Sequence, residues 1–380
     1  SNKEDHEISG ARKFWNAHWA TVMVGMAFFF GLVIRIQWFV VPSMNAYGTG
    51  NWDMTGGSDP WYMKRVVDYI IANQAHLIVD ADRAYPLGGV NPRPPLFTWS
   101  IAIVSMLLEP MLGEDAVWYA MLGLPAIYGA LTIFPIATIA KDHFGKSAGV
   151  VAAWLIAFMP AHVSHSTWAL ADHDAFVMLF ISLGFMYWMK AVKFSGSERL
   201  TRSSSPSLSA IFTSFGVVAR ERKAAMSFAV LAGVSFGVAS LGWKGFVVGP
   251  SILFLAYFAQ VALNMFRRRD STSINALFLA MLGVNLLMAL PFYGHPQLDL
   301  IFDGTGLQPF LFVLGFTLVI SYVTTGFRDK PWLLVLGTLT VIATVFFVLL
   351  WTLKQFDISN AWDVLFTGSG YFTKTKIFGT

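Results

Sequence analysis

The chain contains no cysteine, which excludes disulfides, thiolate zinc sites and cysteine nucleophiles. Charge is also scarce. Only 13% of the 380 residues are Asp, Glu, Lys or Arg, where a soluble domain carries about a quarter. The net charge of +4 is small for this length and gives no case for a nucleic-acid partner. There is no Gly-rich phosphate loop, no Ser-His-Asp order and no nucleotide fingerprint. What the chain has in abundance is apolar surface: 56% hydrophobic residues, 16% aromatic, and a mean hydropathy of +0.58. Such a composition makes a polytopic membrane protein the default.

Crossing the hydrocarbon core takes about 20 apolar residues. Nine stretches qualify: 17–41, 116–140, 146–165, 175–192, 225–242, 246–266, 273–293, 307–326 and 331–353. A further apolar run, 95–112, ends on Glu109 and Pro110. If that run does not cross and the N-terminus is cytoplasmic, 17 of the 26 basic residues fall inside and eight outside. The alternative inverts this bias, so the positive-inside rule makes 95–112 a re-entrant or interfacial helix. The resulting plan is a cytoplasmic arm over 1–16 and a transmembrane domain over 17–353, in a multi-pass cell-membrane protein. The domain has a long first external loop at 42–115 and a basic cytoplasmic loop at 193–224, with Ser195–Ser209 as a flexible linker. Residues 354–380 begin another external loop. Of the 22 acidic residues 14 fall outside, which points to an extracytoplasmic active site. Arg35, near the end of the first span, is expected to snorkel outward.

Three acidic clusters stand on the outer side. In Asp172-His173-Asp174, between the third and fourth spans, two carboxylates offer hard oxygen ligands near one point, suited to Mg²⁺ or Mn²⁺. In Ser58-Asp59-Pro60-Trp61-Tyr62, Asp59 precedes an amphipathic helix with Val66, Val67, Ile70 and Ile71 on one side. Asp53 is its neighbour and rival. The plain alternative for all of these acids is a helix N-cap. The third cluster, Asp80-Ala81-Asp82-Arg83, reads as a solvated turn. Lys244, in Gly242-Trp243-Lys244-Gly245, and His165 are candidate contacts for an anionic substrate, Lys244 being equally suited to snorkelling. His162 and His165 are spaced i, i+3, but without thiolates or an adjacent Glu they make a poor zinc site.

The acidic pieces at Asp59 and at Asp172–Asp174, together with Tyr85-Pro86-Leu87-Gly88 and the Pro-rich run from Asn91 to Phe97, resemble an archaeal-type catalytic subunit of oligosaccharyltransferase. This is the membrane enzyme of asparagine-linked glycosylation. The resemblance implies an all-α polytopic membrane protein with a C-type glycosyltransferase fold and about nine transmembrane helices in this chain. It implies a divalent cation, Mn²⁺ or Mg²⁺, held by Asp59, Asp172 and Asp174. It also implies transfer of a glycan from a lipid-linked oligosaccharide on dolichol phosphate or pyrophosphate to Asn in an Asn-x-Ser/Thr acceptor polypeptide, by a single subunit amid membrane lipids. His165, Lys244, Arg93 and His173 are its candidate substrate contacts.

The chain departs from the family pattern twice. The family's external motif Thr-Ile-x-Glu is not reached, Thr380 standing where its first residue would be. The soluble C-terminal domain with Trp-Trp-Asp is absent from this chain, which is therefore expected to be incomplete for activity. Two other classes compete. A C-type glycosyltransferase moving one sugar from a polyprenyl-phosphate donor would share the acidic outer loop, often without a metal. A transporter or flippase predicts ionisable residues lining midspan, and apart from Arg35 almost none occur.

Overall fold

The computed structural model describes residues 2–37, 52–83, 85–196, 208–298, 300–301, 306–327 and 330–353. The beginning of the external loop at 354–380 and most of the Ser-rich linker lie outside these residues. The chain divides into two compact units, residues 1–77 with 95–186, and residues 78–94 with 187–380.

The first unit is helical in its regular structure among the described residues. It holds α1 (Asn2–Gln37), α2 (Ser58–Asn73), α3 (Leu96–Leu112), α4 (Ala116–Leu131), α5 (Ile133–Phe144), α6 (Lys146–Phe158), the short α7 (Pro160–Ser164) and the start of α8 (Asp174–Phe194). Small residues decide how α1 packs. Ala27 and Gly31 on α1, four apart, meet α5 and α6, where Ala153 and Ala157 are also four apart. A Cβ on Gly31 would lie 2.9 Å from Ile133 and 3.2 Å from Ala157. In lipid, helices associate by van der Waals packing, and small residues four apart allow that approach. Phe29, Phe30 and Val33 stay exposed on α1, the composition of a lipid-facing side.

Two of the nine expected spans are interrupted, and proline explains both breaks. The stretch 116–140 splits into α4 and α5 at Thr132. Pro135 has no N–H to give the Leu131 carbonyl, so the ladder fails there. The stretch 146–165 ends as a helix at Phe158, because Met159, just before Pro160, takes an extended conformation. At 13 residues α6 is about 20 Å long. The run 95–112 forms a full helix, α3, which stops at Gly113 with φ +58°. It folds back along α4, and Tyr128 donates to Ser100 Oγ at 2.9 Å. Ile103, Leu107 and Met111 make an exposed apolar stripe on α3. Among the described residues, seven helical stretches are long and apolar enough to cross a membrane. Residues 146–158 and 332–345 are shorter apolar helices, so the count of nine is not reproduced.

The second unit contains a two-stranded hairpin, β1 (Val79–Asp80) and β2 (Gly89–Val90), with Val79 opposite Val90. Its helices are α9 (Leu208–Glu221), α10 (Lys223–Ser240), α11 (Val248–Phe266), α12 (Thr272–Tyr293), α13 (Leu307–Gly326) and α14 (Trp332–Leu353). Gly233 and Gly237 bring α10 against Met281 and Met288 of α12. Inside the bundle, Tyr257 donates to Asn275 at 2.9 Å, and Asn275 donates to Thr324 at 2.9 Å. A closed chain of this kind satisfies polar groups that lipid would leave unpaired.

The expected solvated turn at 80–83 is a turn, but Asp80 is only 1% exposed. Its Oδ1 accepts the N–H of Asp82 at 3.1 Å and its carbonyl accepts the N–H of Arg83. Ala81, Asp82 and Arg83 are exposed. The local pattern indicated the turn, but not the burial of its first carboxylate.

Candidate metal centre

The acidic cluster stands on a segment pinned by a buried arginine. Arg35 is 0% exposed, which corrects the expectation that it snorkels. Its Nε donates to Ser166 Oγ at 2.9 Å, and its Nη1 donates to the carbonyls of Gly31 at 2.6 Å and Ala157 at 3.0 Å. Ser166 in turn donates to the His162 carbonyl at 2.6 Å. The Arg35 carbonyl accepts the N–H of Trp168 at 2.9 Å. His162 donates through Nε2 to the Gly129 carbonyl. Burial pushes the pKa of His162 down, against that hydrogen bond, and the charges of Arg35 and His165 push it the same way. His162 is therefore a neutral donor, and Arg35 is the positive charge of this cluster.

From this anchor the chain runs on without regular structure to Asp174, the first residue of α8. Ala169, buried, adopts φ +73° and is held on both sides. Its N–H donates to Leu122 and its carbonyl accepts the N–H of Thr55, at 3.1 and 2.9 Å. Three residues later the cluster begins. Asp172 Oδ1 accepts the backbone N–H of His173 at 2.7 Å and lies 2.5 Å from His173 Nδ1. His173 Nε2 lies 3.9 Å from Asp174 Oδ1. His165 Nδ1 is 2.6 Å from Asp174 Oδ2. One ligand atom from each of Asp172, His173 and Asp174 lies within 4.8 Å of the others. All three are partly buried, so a cation would reach them from solvent on one side and be held against packed protein on the other.

Asp59 is not a member of that group of three. It lies in the first turn of α2, whose N-cap residue is Gly57. The strap before α2 does meet the cluster's segment. Thr55 bonds Ala169, and a Cβ on Gly56 would fall 2.6 Å from Leu170. Gly56 and Gly57, at φ +97° and +76°, supply the left-handed backbone this turn needs. The helix face then follows the expected pattern, with Pro60, Met63, Val66, Val67 and Ile70 buried. Asp53 instead accepts the N–H of Met54 at 2.8 Å.

Of the other candidates, His165 joins the acidic cluster through Asp174. Its side chain remains 64% exposed, so its second nitrogen faces outward. His173, read from sequence as a substrate contact, is placed between the two carboxylates as a third donor. The signal was present, since His173 is the middle residue of the motif. Lys244 begins a 3-10 turn, Lys244–Val247, and is half-buried. Arg93 follows Asn91, whose Oδ1 accepts the Arg93 N–H at 3.2 Å. Both belong to the second unit.

Fold and site together define a mostly helical membrane protein with a three-donor carboxylate–imidazole cluster. Residues 28–352 match the family model described as oligosaccharyl transferase STT3, N-terminal, and the chain belongs to that family. It is similar to dolichyl-phosphooligosaccharide-protein glycotransferase 3 of Archaeoglobus fulgidus, 29% identical over 252 residues, covering 65% of this chain and 27% of that protein. Two solved structures of the oligosaccharyltransferase of the same organism share the fold. One, in complex with an inhibitory peptide and a dolichol-phosphate, has a TM-score of 0.70 at 20% identity, over 92% of this chain and 39% of that one. The other, a complex with Zn and sulfate, has a TM-score of 0.65 at 20% identity, over 94% and 43%. The chain thus spans about a quarter of the length of the curated relative.

Proposed function

We propose that this chain is the membrane portion of a metal-dependent oligosaccharyltransferase. It transfers a glycan from a dolichol phosphate or pyrophosphate carrier to the amide nitrogen of Asn in Asn-x-Ser/Thr, on the extracytoplasmic side of the cell membrane. The observation that carries this reading is the convergence of Asp172, His173 and Asp174 within 4.8 Å, in a chain of this family. The relative solved with an inhibitory peptide and a dolichol-phosphate supports the two substrate classes, and the one solved with Zn and sulfate supports a cation. The side of the membrane rests on the bias of basic residues.

Asp172, Asp174 and His173 would hold the cation, with Asp59 as a further proposed oxygen ligand, since the strap before it bonds the segment that leads to the cluster. Two carboxylate oxygens and an imidazole suit Mn²⁺ better than Mg²⁺, which prefers oxygen alone. When bound, the ion supplies Lewis acidity to the donor's phosphate oxygens. An amide nitrogen is a weak nucleophile, so positioning matters as much as activation. A carboxylate beside the acceptor accepts the amide N–H bonds and aims the nitrogen. His165 holds Asp174 Oδ2 and fixes the direction of that carboxylate. The apolar helices flanking the cluster give the carrier's lipid chain a place to lie.

In the full-length protein, Asp59→Asn, Asp172→Asn and Asp174→Asn are each expected to abolish transfer to a sequon peptide without impairing membrane insertion. EDTA should stop the wild-type reaction and Mn²⁺ restore it. Transfer that continues under chelation would favour the single-sugar, metal-free class of glycosyltransferase instead.

A further inference from the structure

The amphipathic helix α2, with Asp59 in its first turn, has a second face that the transfer chemistry does not use. Opposite its buried stripe, α2 lines a cleft of about 490 Å³ with Trp61, Lys64, Arg65, Asp68 and Tyr69, closed by Leu77 and by Trp118 from α4. Trp118 is the fixed wall. Trp52 stacks on it at 6.1 Å and is itself held by a bond from Nε1 to Asp115 at 3.0 Å. The Lys64 ammonium sits 4.7 Å from the centroid of the Trp118 ring. Trp61 meets Trp118 edge-on at 6.0 Å and 76°. The rings left open are Trp61 and Tyr69, 44% and 37% exposed. They are eight residues apart, about 12 Å along the helix. Between them stand Arg65 and the Lys64–Asp68 pair, at 2.7 Å.

We propose that this cleft is a glycan subsite, which holds sugars of the donor oligosaccharide beyond the one bonded to phosphate. The proposal rests on the transferase reading above. Open aromatic faces offer flat apolar platforms to the C–H faces of sugar rings. The carboxylate, ammonium and guanidinium between them offer acceptors and donors to hydroxyl groups. The distance between the platforms exceeds one ring, so the occupant is an oligosaccharide. Trp61 stands two residues from Asp59, which places the cleft along the same helix as the proposed reaction centre.

Other occupants fit less well. A docked peptide strand needs a sheet edge and a docked helix needs an aliphatic groove, and Leu77 is the one aliphatic residue of the lining. A lipid phosphate would face Asp68, while both oxygens of that carboxylate hold Lys64 at 2.7 Å.

The test uses the full-length protein and two donors: the cell's own lipid-linked oligosaccharide, and the same donor trimmed by exoglycosidases to its first sugar. The variants are Tyr69→Ala and Asp68→Asn. Each is expected to raise KM for the intact donor about tenfold, leaving kcat, KM for the trimmed donor and KM for the acceptor peptide unchanged. In the wild type the intact donor should have the lower KM. An equal rise in KM for both donors would assign the cleft to the carrier lipid, and a rise in acceptor KM alone would assign it to the peptide. Either result overturns the proposal, as does no change. If the wild type transfers from neither donor, the transferase reading itself fails, an outcome distinct from all of these.

Discussion

Replacing Arg35 with Met separates two roles that a buried arginine can have. The guanidinium makes one side-chain and two carbonyl hydrogen bonds, and two of these three reach across to residues 157 and 166. A hydrogen bond to a charged group is worth about 1.5–3 kcal/mol net. Losing two would release the 157–168 segment by about 3–6 kcal/mol if nothing compensated. Compensation is substantial. Burying a charge in an apolar surround costs several kcal/mol, and among the described residues the Nη2 atom of Arg35 has no hydrogen-bond partner. Met would remove that penalty and fill much of the same space. Ser166 keeps its bond to the His162 carbonyl, so no hydroxyl is stranded. Global stability should therefore change by only about 1–2 kcal/mol in either direction. The local effect is different, because the anchor of the segment leading to Asp172 is lost. A release of about 2 kcal/mol lowers the population of the ordered cluster by up to roughly 30-fold, and apparent cation affinity falls with it. Binding of Mn²⁺ to the purified protein, followed by electron paramagnetic resonance, measures this directly, with thermal unfolding in detergent as the companion. Arg35→Lys, which keeps the charge and some donors, should recover part of the affinity. If Arg35→Met unfolds far earlier while the folded fraction binds Mn²⁺ as before, the residue is merely structural. If neither quantity moves, the anchoring argument is wrong.

Three further substitutions probe the same packing and the turn of the hairpin. Gly129→Ala would place a Cβ 2.3 Å from Ser166 Cβ and 2.9 Å from Arg35 Nε. It should destabilise by about 1–3 kcal/mol through overpacking, seen as an earlier thermal transition, with weaker Mn²⁺ binding because it strikes the same anchor. Asp80→Ala removes a buried acceptor of the Asp82 N–H and should cost about 1–3 kcal/mol. Asp82→Ala, on the exposed side of the turn, should stay within about 0.5 kcal/mol. Equal effects from this pair in a denaturation assay would refute the burial argument.

What the sequence made legible followed the range of the interactions involved. Membrane helices are set by hydropathy over one span, so most of them were readable, although seven stretches and not nine are long and apolar enough to cross among the described residues. Their ends depend on local backbone chemistry, which the prolines carried. Pro160 marked where the stretch 146–165 breaks, and Pro135 marked the division at Thr132. A hydropathy window averages across both signals and merges the pieces. The cluster at 172–174 was visible because its three donors are contiguous. Asp59 was visible only as a motif, and the contacts that join the strap before it to the cluster's segment, between residues 55–56 and 169–170, span more than a hundred positions.

Arg35 was misread for a related reason. At the level of one helix, an arginine near the end of a span is stabilised best by reaching for water. Burial becomes preferable only when several acceptors already point inward at one place. Here they come from Gly31 on its own helix, Ala157 at the close of α6, and Ser166 beyond α7. Ala157 is an inward acceptor because α6 stops one residue later, leaving its last carbonyls without helical partners. The Met159–Pro160 break that cut the expected span short therefore also creates an acceptor that holds Arg35 inside. Restoring helical continuity by substituting Pro160 would retract that acceptor, and the loss of the arginine's anchor would follow from a change made five residues before His165.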